Sequence, residues 1–306
     1  MPVTSASPPH QTPSAQLARG QLLTLLYIAL TSASQVFLSH VGGGIPIEIS
    51  LFYMALAACV VFNLWEFRRL RHNHRALRRH WRMWLMLSVA FVLNWIFSYY
   101  SVTHASADFF IGVFFLSSAL CSCLREKRWL KSLFILMAIL CIHALSAFPL
   151  RVLCTSMLAG AMMYLYYVSS LRFSRQSGLG PVSVVSLRCY MLLACSAAYL
   201  FTHHEFGALW VAPETLRNLL ILIVANMVLP SFLSQTCLQW VGVTLFTFMN
   251  SLIPVLAFVM QSLVSGQWQT GMLIAVTLTT LMLNYDRLIL LARSLIAVNP
   301  QSMDQE

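Results

Sequence analysis

Apolar stretches of about twenty residues, the length a helix needs to cross hydrocarbon at 1.5 Å per residue, recur along the chain. They fall at 21–41, 46–66, 82–103, 106–124, 129–147, 149–171, 181–202, 216–240, 243–265 and 268–285. The polar clusters between them are short and leave no room for a soluble catalytic domain. This pattern predicts an all-α membrane protein of about ten transmembrane helices. Residues 1–20 are rich in Pro, Ser and Thr and lack the charged region and cleavage site of a signal peptide. They are expected to form a disordered cytoplasmic tail, and 286–306 a short helical extension ending in a second cytoplasmic tail.

The polar punctuation repeats. VLNWIFS at 92–98 is echoed by VLPSFLS at 228–234, an offset of 136. SLFYMALAA from Ser50 is echoed by SLRCYMLLA from Ser186, with one inserted residue before Tyr190-Met191. SADFFIGVFFLSSAL from Ser106 lies against TLFTFMNSLIPVLAF from Thr244 at 138, and Trp129 and Trp268, each opening the last span of its half, are 139 apart. The reading is a duplication, 21–147 and 149–285. Five spans per copy is an odd number, so the second copy enters the membrane from the opposite side. Inverted repeats of this kind are found in secondary transporters, where two halves expose a midplane site to each side in turn.

Composition agrees with the span pattern: 59% of the 306 residues are apolar and 9% are charged, too few charges to solvate soluble domains. The net charge of +10 raises nucleic acid as a partner, but the basic residues follow span boundaries. With the N-terminus inside, 16 of the 19 Lys and Arg fall on inner segments, seven of them between Arg68 and Arg82. The positive-inside rule then places both termini in the cytoplasm, and RRLRHNHRALRRHWR reads as a topology anchor on anionic headgroups. No nucleic-acid partner is expected. All eight cysteines lie in or at apolar spans, so no disulfide framework is expected. The Cys121/Cys123 pair has no second ligand pair nearby, and neither a metal nor a cofactor is expected.

The ten-span layout and the segment LPSFLSQTCLQWVGVTLFTFMNSLIPVLAFVMQSLVSGQ, Leu229 to Gln267, resemble the second EamA repeat of the drug/metabolite transporter superfamily. Pro254 occupies that family's mid-helix proline position, while Gly266-Gln267 stands where Gly-Glu often follows. In the first half Glu126 retains the acid and Leu116 replaces the proline. The resemblance covers about 265 residues and implies a metabolite exporter of a bacterial inner membrane, with a cavity lined by the third, fourth, eighth and ninth spans among others. It does not specify a substrate. A small polar or amphipathic metabolite, such as an amino acid or its derivative, fits the residues below, and a homodimer is compatible with this layout.

Unpaired polar groups are costly in hydrocarbon, so those deep in spans are candidate site residues. Asn94, Asn226, Gln235 and Asn250 offer amides either to a substrate or to helix-to-helix hydrogen bonds. Arg188, the one Lys or Arg more than a helical turn inside a span, either anchors an anion or snorkels to the inner interface. Pro230 and Pro254 are expected to kink the eighth and ninth spans. Glu48 and Asp108 open the second and fourth spans, where a carboxylate complements the helix dipole or binds a coupling proton. His104, one turn from Asp108, and His143 are further titratable candidates. The clusters WIFSYY from Trp95 and YLYY from Tyr164 form either a cavity wall or an interfacial belt.

The chain has no GxxxxGK[ST] motif, so a gradient would drive transport. Two other readings stand beside it. A membrane enzyme acting on lipid would need clustered acids or histidines, and the nine acids here are scattered. A non-transporting sensor or assembly subunit would use the arginine-rich segment as its partner site.

Overall fold

The computed structural model describes residues 13–146, 148–203 and 210–298. The described residues are helical, with no strand among them. Among the described residues eight helices are long and apolar enough to cross a membrane: Leu17–Gly44, Ile47–Trp65, Trp81–His104, Ala107–Arg125, Trp129–Ser146, Leu150–Ser177, Pro181–Thr202 and Pro213–Gly242. Two shorter apolar helices, Ile253–Ser265 and Thr270–Tyr285, follow. The protein is a multi-pass helical membrane protein, and in sequence order these ten pieces correspond to the ten predicted spans.

We label the helices α1 (Pro13–Val41), α2 (Ile47–Trp65), α3 (Leu70–Arg79), α4 (Trp81–His104), α5 (Ala107–Arg125) and α6 (Trp129–Ser146). The second half contains α7 (Leu150–Ser177), α8 (Pro181–His203), α9 (Pro213–Leu222), α10 (Leu229–Asn250), α11 (Ile253–Ser265) and α12 (Thr270–Val298). A π-helical segment, Ile223–Val228, joins α9 to α10.

Three local features differ from the sequence-based expectation. The expected tail is already helical from Pro13, since proline fits a first turn and Ala15 to Ala18 favour helix; residues 1–12 and 299–306 lie outside the described residues. The arginine-rich segment folds into α3. Its Arg71, Arg75, Arg78 and Arg79 face outward, while the buried Asn73 donates to Glu66 Oε2 at 3.2 Å. Ser183 Oγ donates to the same oxygen at 2.6 Å, tying α3 to the ends of α2 and α8.

The third difference concerns the prolines. Pro230 cannot donate to the carbonyl of Asn226 four residues earlier, and the helix upstream widens into the π segment where a sharp kink was expected. Pro254 kinks nothing. It lies in the first turn of α11, where an N–H would have no intrahelical acceptor, and the expected ninth span is two pieces. The first ends at Asn250 after a non-helical Gly242 at φ 75° and ψ 163°, a conformation that a Cβ disfavours. The break at 251–252 is satisfied by protein. Thr280 Oγ1 donates to the Ser251 carbonyl at 3.1 Å, Asn284 Nδ2 to Ser251 Oγ at 2.5 Å, and Ser32 Oγ to the Ile253 carbonyl at 3.4 Å. Broken backbone at membrane depth is tolerated only under such cover.

Helix packing follows a reciprocal pattern. α4 packs along α7 and α1 along α10, α5 also meets α7 and α11 also meets α1, α5 pairs with α6 and α11 with α12, and α2 pairs with α8. Small residues permit the closest approach. Gly160 of α7 lies under the carbonyl of Phe114, and a Cβ there would also come within 2.8 Å of Ser117 Cβ. The outside of the bundle is apolar: α6 alone exposes Trp129, Leu130, Leu133, Phe134 and Met137, as a lipid-facing helix must.

Candidate functional site

A cavity of about 100 Å³ lies where α1, α4, α5, α7, α8, the π segment, α10 and α11 converge, with room for several water molecules. Aromatic side chains form much of its wall: Tyr27, Phe91, Trp95, Phe110, Phe114 and Tyr166. Polar groups enter from both halves of the chain: Thr31, Gln35, Asn94 and Ser98 from the first, and Arg188, Asn226, Ser231 and Ser234 from the second.

Arg188 is 2% exposed. It faces the cavity and does not snorkel, because Val184, Val185, Leu187 and Leu192 bury this stretch of α8 in the bundle. Trp84 Nε1 donates to the Leu187 carbonyl at 2.9 Å and fixes the backbone beside it. The guanidinium carbon lies 4.5 Å from the Phe91 ring centroid and 5.0 Å from that of Tyr166. Its Nε and Nη1 have no hydrogen-bond partner among the described residues.

Asn226 projects from the π segment. Its Oδ1 accepts from Gln35 Nε2 at 3.0 Å and from Ser34 Oγ at 3.2 Å, while its Nδ2 is buried without a partner, as are Gln35 Oε1 and Thr31 Oγ1. Asn94 donates to the Ala159 carbonyl at 3.0 Å, next to the close-packed Gly160. This contact serves helix packing, yet Asn94 still lines the cavity.

Of the five predicted substrate-binding residues, Asn94, Asn226 and Arg188 thus meet at one cavity. Gln235 lies behind it, where its Oε1 accepts from Tyr166 Oη and Ser170 Oγ, both at 3.3 Å. Asn250 is buried beside the break before α11 and is not part of the lining. Pro230 lines the cavity and Pro254 does not. None of the four predicted titratable groups, Glu48, Asp108, His104 and His143, lines the cavity. Glu48 and Asp108 occupy the first turns of α2 and α5, and His104 is exposed and stacks on Tyr100 with ring centroids 4.1 Å apart. The aromatic clusters divide: Trp95 and Tyr166 form cavity wall, whereas Tyr99 is buried and shares a 2.6 Å hydrogen bond with Ser50. Among the described residues no group of three or more His, Cys, Asp or Glu could hold a metal.

Sequence reasoning missed Gln35, Thr31 and Ser98. Gln35 obeys the rule that selected Asn94, a polar side chain deep in an apolar run. Ser98 and Ser234 are identical positions of the VLNWIFS/VLPSFLS repeat and both line the cavity.

Removing the Tyr166 hydroxyl and removing its ring are expected to differ. Tyr166→Phe loses one hydrogen bond to Gln235, whereas Tyr166→Leu also loses a cation–π contact of about 0.5–2 kcal/mol. In thermal unfolding of the purified protein, the leucine variant should melt several degrees below the phenylalanine variant. Equal melting temperatures would show that the ring contributes nothing through Arg188.

No family model matches the chain, and no curated protein matches it. Ten chains of solved structure do. One, described as "Crystal structure of protein", is 15% identical and covers 88% of this chain and 98% of its own length with a TM-score of 0.63. That likeness establishes a shared fold and carries no function with it.

Proposed function

We propose that the chain is a secondary transporter that moves a small polar or amphipathic metabolite across a bacterial inner membrane by alternating access, in the manner of the EamA-type proteins its sequence resembles. One observation carries this reading: residues spaced by the repeat offset meet around a single cavity. Tyr27 and Met163, Asn94 and Pro230, Trp95 and Ser231, and Ser98 and Ser234 are each 136 apart, and all eight line it. The reciprocal helix packing supports the same inverted duplication of 21–147 and 149–285. A cavity on such an axis, lined by polar groups without internal partners, is where alternating access requires a site. The arginines around α3 favour a cytoplasmic position for that end of the bundle, with both termini beside it. Export is the direction the family resemblance favours.

The test is an untargeted comparison of small molecules inside and outside cells that lack, contain or overproduce the chain. A compound retained by cells without the chain and released by overproducers is the expected result, and Ala at Asn94 and Asn226 should abolish its release. Accumulation in the opposite sense would reverse the direction. An unchanged distribution across growth conditions, with the protein present in the membrane, would overturn the reading.

A further inference from the structure

Resting on that reading of the cavity, we propose that its substrate is an organic monoanion: a carboxylate held edge-on by Arg188, carrying a flat apolar body that lies against the aromatic wall. Arg188 is the single charged residue in the lining, and no ion pair among the described residues involves it. A cation buried at membrane depth without a counter-charge is costly, and a ligand that supplies one negative charge removes that cost.

Geometry specifies the kind of anion. The guanidinium lies within cation–π distance of two rings, Phe91 and Tyr166, which leaves its in-plane N–H groups as the binding edge. Two of those nitrogens, Nε and Nη1, have no partner, and each forms, together with Nη2, one of the two edges on which a guanidinium presents parallel N–H donors to the two oxygens of a carboxylate. The unpartnered Nδ2 of Asn226 is a further donor on the same lining. Trp95, Phe110, Phe114 and Phe115 contribute apolar, largely aromatic surface, which suits a planar hydrocarbon body. The lining contains no Asp or Glu to balance an ammonium group. A zwitterion therefore leaves the site with the same net charge it had when empty, and a monoanion neutralises it.

The experiment uses the full-length protein in lipid nanodiscs and three probes of one skeleton: 3-phenylpropionate, its amide 3-phenylpropionamide, and L-phenylalanine, which adds an α-ammonium. The acid is expected to raise the melting temperature at concentrations at least tenfold below those the other two require. Arg188→Gln should remove the shift and Arg188→Lys should keep a reduced one. The probe series on the unaltered protein decides the matter even where a variant does not fold. Equal shifts from acid and amide, a shift that survives Arg188→Gln in folded protein, or no shift with any probe would each overturn the monoanion assignment. The transporter reading stands or falls separately, on the metabolite comparison, which assumes nothing about charge.

Discussion

Replacing Asn226 with leucine is expected to abolish most transport while leaving a folded, membrane-inserted protein. The amide of Asn226 joins α1 to the π segment through Gln35 Nε2 and Ser34 Oγ. Loss of Oδ1 has unequal consequences for these two donors. Ser34 falls back on the Thr31 carbonyl, already 3.0 Å away, whereas Gln35 is left with both ends of its amide unpartnered, since its Oε1 has no partner either. An unsatisfied buried polar group costs about 1–3 kcal/mol, and interhelical hydrogen bonds in membranes are worth about 0.6–2 kcal/mol. The variant should therefore melt a few degrees lower. On the proposed function, loss of the unpartnered Nδ2 should reduce transport at least about tenfold, the equivalent of about 1.4 kcal/mol. Asn226→Asp keeps an acceptor for Gln35, loses the Nδ2 donor and places a carboxylate in the same lining as Arg188, so it should melt above Asn226→Leu without recovering the transport. If Asn226→Leu transports the compound found in the metabolite comparison at the normal rate, this corner of the cavity is not the site.

The second large effect is structural. Gly160→Leu should prevent α5 and α7 from packing, because a side chain at this position meets the carbonyl of Phe114 and the Cβ of Ser117. Neither neighbour is the far end of a flexible side chain. Even Gly160→Ala forces backbone apart, and overpacking of this kind costs about 1–3 kcal/mol or more. The displacement would propagate to the adjoining Ala159 carbonyl, the acceptor of Asn94. Size-exclusion profiles of detergent-solubilised protein should show loss of the monodisperse peak for Gly160→Leu and a lower melting temperature for Gly160→Ala. A leucine variant with an unchanged profile and melting point would mean that α5 and α7 are not held at this distance.

Spans and part of the site are readable from the chain for one reason: hydrocarbon penalises polar atoms, so the few that remain in apolar runs stand out. Asn94, Asn226 and Arg188 were legible on that basis, and Gln35 equally so. The aromatic wall was legible only in Trp95 and Tyr166, because Phe110, Phe114 and Phe115 are apolar residues within an apolar helix and nothing local distinguishes a cavity face from a packed one. Gln235 and Asn250 have the right chemistry, but Gln235 is turned to α7 and Asn250 is buried beside the break before α11, outside the lining. The divided ninth span was hidden because only Asn250 and Ser251 interrupt an otherwise largely apolar run there, and the caps that make the break tolerable, Thr280 and Asn284, come from a helix about thirty residues further on. Pro254 was visible, but only the fold shows whether a proline bends a helix or begins one. Glu48 and Asp108 lie in first turns, as their sequence positions indicate, and outside the cavity lining.

Arg188 has no twin. In the repeat alignment its counterpart is Phe52, which is not part of the cavity lining and packs on Phe201, with ring centroids 6.4 Å apart. Two like halves facing one another would treat the head and tail of a bound molecule as equivalent, and one unmatched cation removes that equivalence. A monoanion bound as proposed above would then have a single orientation, with its charged end toward α8, and the two directions of passage through the cavity would present different ends of the cargo first.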